Sequence, residues 1–456
     1  DGANLVMKYK DIIAACEVQA ESNALLECEV SHISIDTRTL NVGDVYIAIQ
    51  GEAQDGHDYV QAAKEKGALA VVVSQKIACN IPQVLVKDTT VALGKIAAYW
   101  RKQFSLPIIA ITGSVGKTTT RNLIAKILIE AFGEEHVLVP EKNFNNQWGL
   151  PLVLCRLNAK HKIAVLEMGM NHLEEIRYLM KIAQPTVGII TNAGSNHLGF
   201  LGSLENIAKA KGEMFEELSA TGSAVINADD RFFAYWNNLL TAQSKATFGL
   251  HSGDITAKNI QSDSFTLVTP IGEINVKRVL LGEHNIVNAL AASAAVLSTG
   301  MNDLAVIKRG LETVIAEQGR LEPITTSQGI IILNDTYNGG ETSILAALQV
   351  LSEYKTTGRK IAVIGDMSEL EEFSIPMHKK MGEHVARFSP DIFIAFGPLM
   401  KHAYDNYPGE NKQHFLMHDE AVDYFKSILT DNDVVLLKGS RVMAMETIGD
   451  SLIKFA

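Results

Sequence analysis

Two glycines, a lysine and a threonine at positions 113, 116, 117 and 118 lie in the run Thr112-Gly113-Ser114-Val115-Gly116-Lys117-Thr118-Thr119-Thr120. This combination suits a nucleoside triphosphate. Gly113 and Gly116 allow the backbone to approach phosphate oxygens, and Lys117 supplies a point charge for the outer phosphates. The Thr118 hydroxyl is placed to ligate Mg²⁺. An apolar run, Leu106 to Ile111, comes before, and a helical pattern from Arg121 to Phe132 follows. Strand, turn and helix in that order aim the loop amides, those of Ser114, Val115 and Thr119 included, at one spot where the helix dipole adds positive charge. Only two residues separate Gly113 from Gly116, where the common phosphate loop has four before its Gly-Lys pair. The short loop narrows the class of site.

Phosphoryl chemistry also needs hard oxygen ligands for Mg²⁺ near the γ-phosphate. Glu167 ends the strand-like run Ile163 to Leu166, and His197 follows a run ending at Thr191. Either could hold metal, though a helix cap and a surface histidine are the plain alternatives. Lys209 and Lys211 sit on a helical run, Ser203 to Leu218, and by themselves read as solvated. Asn285 and Asn288 share a helix face and could read an adenine edge, although capping explains Asn285 as well. Arg320, after Gly319, could reach the γ-phosphate or simply pair with a surface carboxylate. Ser34, Thr37 and Arg38 offer hydroxyls and a guanidinium suited to a diphosphate-bearing ligand, or ordinary turn chemistry.

These residues need an α/β scaffold of three domains, and 456 residues are too many for one core. Residues 1–88 read as a small α/β domain and 89–318 as a central phosphate-loop domain with a mostly parallel sheet. In 319–456 the runs Ile330 to Leu333, Lys360 to Ile364, Asp391 to Ala395 and Asp433 to Leu437 each precede a helical pattern, which reads as Rossmann-like. The polar turns after these strands should face a cleft whose other wall is the phosphate loop. Between Thr247 and Val279 the pattern is β-type. Asp1 to Val6 precede Met7 and are read as lying outside the fold. No apolar run is long enough for a membrane span, and a cytoplasmic protein is expected. The net charge of −11 argues against a nucleic-acid surface, and four scattered cysteines imply neither zinc nor a disulfide framework.

Several segments extend this reading: Lys142-Asn143-Phe144-Asn145-Asn146-Gln147 with Gly149-Leu150-Pro151, Glu167-Met168-Gly169-Met170-Asn171-His172, Ala210-Lys211-Gly212-Glu213-Met214-Phe215 and Gly365-Asp366-Met367 with Glu369-Leu370. With the short loop, they make the chain from Met7 onward resemble the Mur ligase family of peptidoglycan synthesis. Those four segments look like the branch that joins D-alanyl-D-alanine to UDP-N-acetylmuramoyl-tripeptide. The resemblance implies ATP, about two Mg²⁺, an acyl-phosphate intermediate and a monomer. It implies metal ligands at Thr118, Glu167, His197 and a carbamylated Lys211, and catalytic roles for Lys117, Lys211, His197 and Arg320. It further implies adenine contacts at Asn285 and Asn288, a ribose contact at Asp335 with Asn338 beside it, and a γ-phosphate contact at Arg320. Ser34, Thr37 and Arg38 would hold the UDP end and Asn145 and Asn146 the muramoyl peptide, with Lys438, Ser440 and Arg441 near the acceptor.

The family usually continues Ala-Asn-Pro-Ala-Ser after the Asp-x-Tyr-Asn turn, where this chain has Gly339-Gly340-Glu341-Thr342-Ser343. The alternatives are a sibling that adds the third peptide residue, a folylpolyglutamate synthase, and a nucleotide-binding regulatory module. The sibling would carry an Asp-x-Ala-His-x-Pro-like turn where Asn334-Asp335-Thr336-Tyr337-Asn338 stands. A regulatory module would not need Glu167, His197 and Lys211 together.

Overall fold

In the computed structural model of the chain, residues 5–455 are described; the reading of Asp1 to Ala3 and Asn4 as lying outside the fold falls beyond them. Four strands, β1 (Ile33–Ser34), β2 (Val45–Ile47), β3 (Ala70–Val73) and β4 (Gln83–Leu85), pair in parallel in that order. Asp88 then caps the helix Thr89–Arg101 by accepting from Val91 N, and this helix packs on both the first sheet's helix Tyr9–Cys16 and the central module.

The central sheet contains β5 (Ile108–Thr112), β6 (Val137–Leu138), β7 (Ile163–Glu167), β8 (Val187–Ile190), β9 (Ser223–Asn227) and β10 (Ser244–Phe248). All pairings are parallel, in the order β10-β9-β8-β5-β7-β6. Every residue of β5 is buried because both faces are covered. Ile109 and Ile111 meet the helices Lys117–Phe132 and Glu283–Ser298, while Ile108 and Ala110 meet the opposite layer with Leu93 and Leu150. The chain leaves β5 toward β6 and β7 and then crosses to β8, so the direction of winding reverses at β5. Such a switch point is where an open parallel sheet binds ligands.

The β-type stretch forms its own antiparallel sheet of β11 (Thr256–Lys258), β12 (Ser264–Thr269) and β13 (Gly272–Lys277). The third module has β14 (Glu322–Thr325), β15 (Ile331–Asp335), β16 (Lys360–Gly365), β17 (Ile392–Phe396), β18 (Lys412–Phe415) and β19 (Val434–Lys438), ordered β14-β15-β19-β16-β17-β18. The four expected strands are its centre. The two edge strands were not expected. β14 carries Pro323 and pairs antiparallel, and β18 reads Lys-Gln-His-Phe, so neither shows the apolar run that marks the buried strands.

One helix start also differs from expectation. Lys117 opens its helix rather than ending the loop, with Gly116 as a left-handed cap at φ 88°. After the segment Glu167 to His172 the next helix begins at Glu175, whose carboxylate accepts from Asn171 N at 2.5 Å and His172 N at 3.2 Å and so closes a turn first. No helix among the described residues is long and apolar enough to cross a membrane.

Candidate active site

The phosphate loop is built by contacts to the turn that follows β8. Ser114 N donates to Asn192 O at 3.1 Å and Val115 N to Asn192 Oδ1 at 2.9 Å. Thr191 Oγ1 and Asn192 Nδ2 donate to Val115 O, and Asn196 Nδ2 to Ser114 O, each at 2.9 Å. This corrects one expectation: the Ser114 and Val115 amides are already engaged. The N–H groups of Lys117, Thr118 and Thr119, in the first turn of the helix, remain as the anion donors. Gly113 is obligatory here, since a Cβ would lie 1.7 Å from Thr191 Oγ1.

Glu167, at the end of β7, is 2 % exposed and caps no helix. Each of its oxygens lies 3.2 Å from Thr118 Oγ1. Asn145 Nδ2 reaches Oε1 and Arg121 Nη1 reaches Oε2, also at 3.2 Å. A buried carboxylate beside a hydroxyl at a helix N-terminus is a hard-oxygen donor set, which fits Mg²⁺. No group of three or more His, Cys, Asp or Glu gathers for a metal among the described residues.

His197 lines the same cleft in a left-handed conformation, φ 64°, with its Nδ1 2.8 Å from Glu369 Oε2 of the third module. The His197 imidazole holds the Glu369 carboxyl below its ordinary range.

Three cations converge, and one of them, Arg320, also pairs with a carboxylate as its plain alternative expected, its Nε 3.2 Å from Glu317 Oε2. Lys117 Nζ donates to Gly113 O at 2.7 Å, back onto its own loop. Its pKa is pushed down first by burial, with Glu167 opposing and Arg320 adding to the depression. Arg320 spans the modules, with Nη2 3.2 Å from Thr118 Oγ1 and its guanidinium 4.1 Å over the Tyr337 ring. Lys211 is 2 % exposed, in contrast to the solvated reading, while Lys209 is exposed. Burial drives the Lys211 pKa well down and Lys117 lowers it further, with no carboxylate to counter them. Lys211 does not itself line the cleft.

The cleft measures about 840 Å³. One wall is the phosphate loop with Glu167, Asn285 and Asn288, and the other is Arg320, Asp335, Asn338 and Lys438, as the strand-end argument expected. Asn285 and Asn288 do share a face: Asn288 Nδ2 donates to Asn285 Oδ1 at 2.9 Å. Asn285 is no cap, because Gly282 holds that position and Asn285 Nδ2 donates to Leu281 O at 2.7 Å. Asn288 Oδ1 accepts from Thr120 Oγ1 at 3.3 Å and lies where a Cβ on Gly116 would be, 2.5 Å away, so it braces the loop.

Lys438 is tied at 2.9 Å to Asp335 Oδ2 and at 2.8 Å to Asn338 O, which joins the ends of β15 and β19. Asn145 and Asn146 both line the cleft, but Asn146 Oδ1 also accepts from Trp148 N and Gly149 N. Five residues expected at substrate lie off the cleft: Ser34, Thr37, Arg38, Ser440 and Arg441. Arg38 is clamped by Asp36 at 2.7 Å, and Arg441 sits behind Tyr337, 5.7 Å from its ring. Glu341, the acidic newcomer, turns from the cleft to His384 Nε2 at 3.0 Å. Gly340 packs so closely that a Cβ would be 2.1 Å from Asn196 Oδ1. Sequence reasoning missed Asn192, Arg121, Tyr337 and Glu369; only Arg121, one helical turn after Thr118, carried a spacing signal.

Three family models cover most of the chain: "Mur ligase family, catalytic domain" on residues 29–101, "Mur ligase middle domain" on 111–296 and "Mur ligase, glutamate ligase domain" on 319–441. The UDP-N-acetylmuramoyl-tripeptide--D-alanyl-D-alanine ligase of Haemophilus influenzae is 38% identical across 98% of this chain and 99% of its own. The chain belongs to the Mur ligase family. Among solved Mur ligases, MurF from Acinetobacter baumannii superposes with a TM-score of 0.93 at 33% identity, covering 99% of both chains. MurF from Thermotoga maritima, solved in complex with ADP, gives a TM-score of 0.82 at 26% identity over 93% of this chain and 97% of that one.

Proposed function

We propose that this chain is the ATP-dependent ligase that joins D-alanyl-D-alanine to UDP-N-acetylmuramoyl-tripeptide, forming ADP and phosphate in peptidoglycan synthesis. One observation carries the reading: the phosphate loop, Glu167 and Arg320 share one cleft with the strand ends of the third module, in a chain alike over its full length to ligases of that name.

A carboxylate is a poor acyl donor until an oxygen becomes a leaving group. In the first step a tripeptide carboxylate oxygen bonds to the γ-phosphorus of ATP as the β,γ P–O bond breaks, giving an acyl phosphate and ADP. In the second the dipeptide amine bonds to the carbonyl carbon, the C–O bond to phosphate breaks and the amine sheds a proton. Catalysis is then positioning and charge neutralisation. The first-turn amides, Lys117 and Arg320 hold the phosphates, whose negative charge offsets the crowding of these cations. Thr118, Glu167 and His197 would hold Mg²⁺, which supplies charge stabilisation at the phosphoryl oxygens. The Lys211 amine, its pKa driven well down by burial, suits carbamylation: in its neutral form it adds to CO₂, loses a proton and becomes an oxygen-bearing anion.

Asn285, Asn288, Asp335 and Asn338 are assigned to the nucleoside, Asn145 and Asn146 to the muramoyl peptide and Lys438 to the acceptor side. Ser34, Thr37 and Arg38 are assigned to the UDP end, on the first module. The working units are residues 1–88, 89–318 and 319–456, acting as a cytoplasmic monomer. Phosphate release from ATP should require both UDP-muramoyl tripeptide and D-alanyl-D-alanine. Release with another acceptor in place of the dipeptide would overturn the specificity.

A further inference from the structure

Glu369 reaches the central module from the third. Its carboxylate Oε2 is 2.8 Å from His197 Nδ1, and its carbonyl accepts from Gly199 N at 2.9 Å. The fit is close, since a Cβ on Gly199 would meet that carbonyl oxygen at 2.6 Å. Glu369 is held in the left-handed region at φ 60°, between Met367 and Leu370, both buried. Met367 N is itself fixed by donating to His378 Nε2 at 2.9 Å. The carboxylate is therefore presented by a rigid segment to one nitrogen of one histidine.

The contact is an ion-pair contact rather than an aligned hydrogen bond, but a carboxylate oxygen at that distance still attracts an N–H and repels a lone pair, so it favours the ring proton on Nδ1. The other nitrogen, Nε2, then keeps its lone pair on a ring that lines the cleft. Carboxylates use this arrangement to fix the tautomer and orientation of metal-binding histidines. We propose that Glu369 is a positioning residue for His197, holding Nε2 ready for a divalent cation only while the third module is docked. The inference rests on the reading of His197 as a metal ligand, and it makes metal affinity a property of two modules.

The test uses the full chain and Mn²⁺ alone, followed by loss of the free Mn²⁺ resonance signal. His197→Ala and Glu369→Gln should each weaken Mn²⁺ binding by about 10-fold or more, and the double variant should be no weaker than His197→Ala. Unchanged binding in His197→Ala would sink the metal-ligand reading, and this inference with it. A normal His197→Ala effect with unaltered binding in Glu369→Gln would sink the inference alone. So would two fully additive losses. A simple tether would lower the melting temperature of Glu369→Gln and leave Mn²⁺ affinity untouched. Nitrogen-15 spectra of the wild-type histidines, with His197 assigned by its loss in His197→Ala, need no Glu369 variant: an Nδ1-protonated ring is expected, and an Nε2-protonated one overturns the proposal.

Discussion

Lys211 is a long aliphatic amine with no carboxylate beside it, at a position 2 % exposed. Its folded pKa is lowered, so the sign of its contribution follows. Above the unfolded value, near 10.5, both states are neutral and the protonation difference contributes nothing. As pH falls the unfolded chain takes up a proton first, and the folded state loses ground until its own lowered pKa is reached. In bicarbonate-free buffer at pH 7, Lys211→Met should therefore melt higher than wild type by about 2 °C or more, roughly what 1 kcal/mol gives in a large domain. The gap should close as pH approaches 10.5, while turnover is abolished. A variant that melts lower at pH 7 would contradict an uncompensated amine. At this scale residue type alone pointed to Lys117, Thr118 and Glu167, and the structure brings the three to one cleft. The residue pattern alone made Lys211 a solvated lysine, and only the family resemblance singled it out, because burial comes from the packing of the helix Leu204–Glu217, and Lys209, two residues away, is solvated. Asn192 and Glu369 were hidden for a related reason: an asparagine after a strand and a glutamate in a turn are ordinary until a partner from another element meets them.

The shortened loop is an element without slack. Thr191, Asn192 and Asn196 bind it from the turn after β8, and Asn288 supports it from the helix Glu283–Ser298. Gly113→Ala adds a methyl group where Thr191 Oγ1 stands, so it should reduce ATP-analogue affinity by at least about tenfold, the equivalent of 1.4 kcal/mol from overpacking of 1–3 kcal/mol. Calorimetric titration would show it, and wild-type affinity would mean that the loop yields easily. Element identity was legible wherever an apolar run had to be buried on both faces, as in β5, β15, β16 and β19. The edge strands β14 and β18 were not, because a strand with one covered face does not need a continuous apolar run.

Across the whole molecule the cleft has walls from two sheets, joined through Arg320 to Thr118 and Glu369 to His197 and Gly199. A nucleotide held by both walls stabilises both. At an ATP-analogue concentration of about 100 times Kd, roughly 2.7 kcal/mol should be added, and scanning calorimetry should move the unfolding of the central and third modules together. A shift confined to one transition would mean that only one wall binds. The order of three modules was readable in the alternation of strand and helix, but the contacts between them were not, since they rest on Gly340 beside Asn196 and on single ion pairs. The topology of the third sheet also bears on biosynthesis. Its last strand in chain order, β19, lies between β15 and β16 in the middle of the sheet. Until residues 434–438 leave the ribosome, the nascent module is two half-sheets with unpaired inner edges, each a template for wrong pairing. The central module, complete far earlier in the chain, is then the folded surface to which those halves are directly joined during translation.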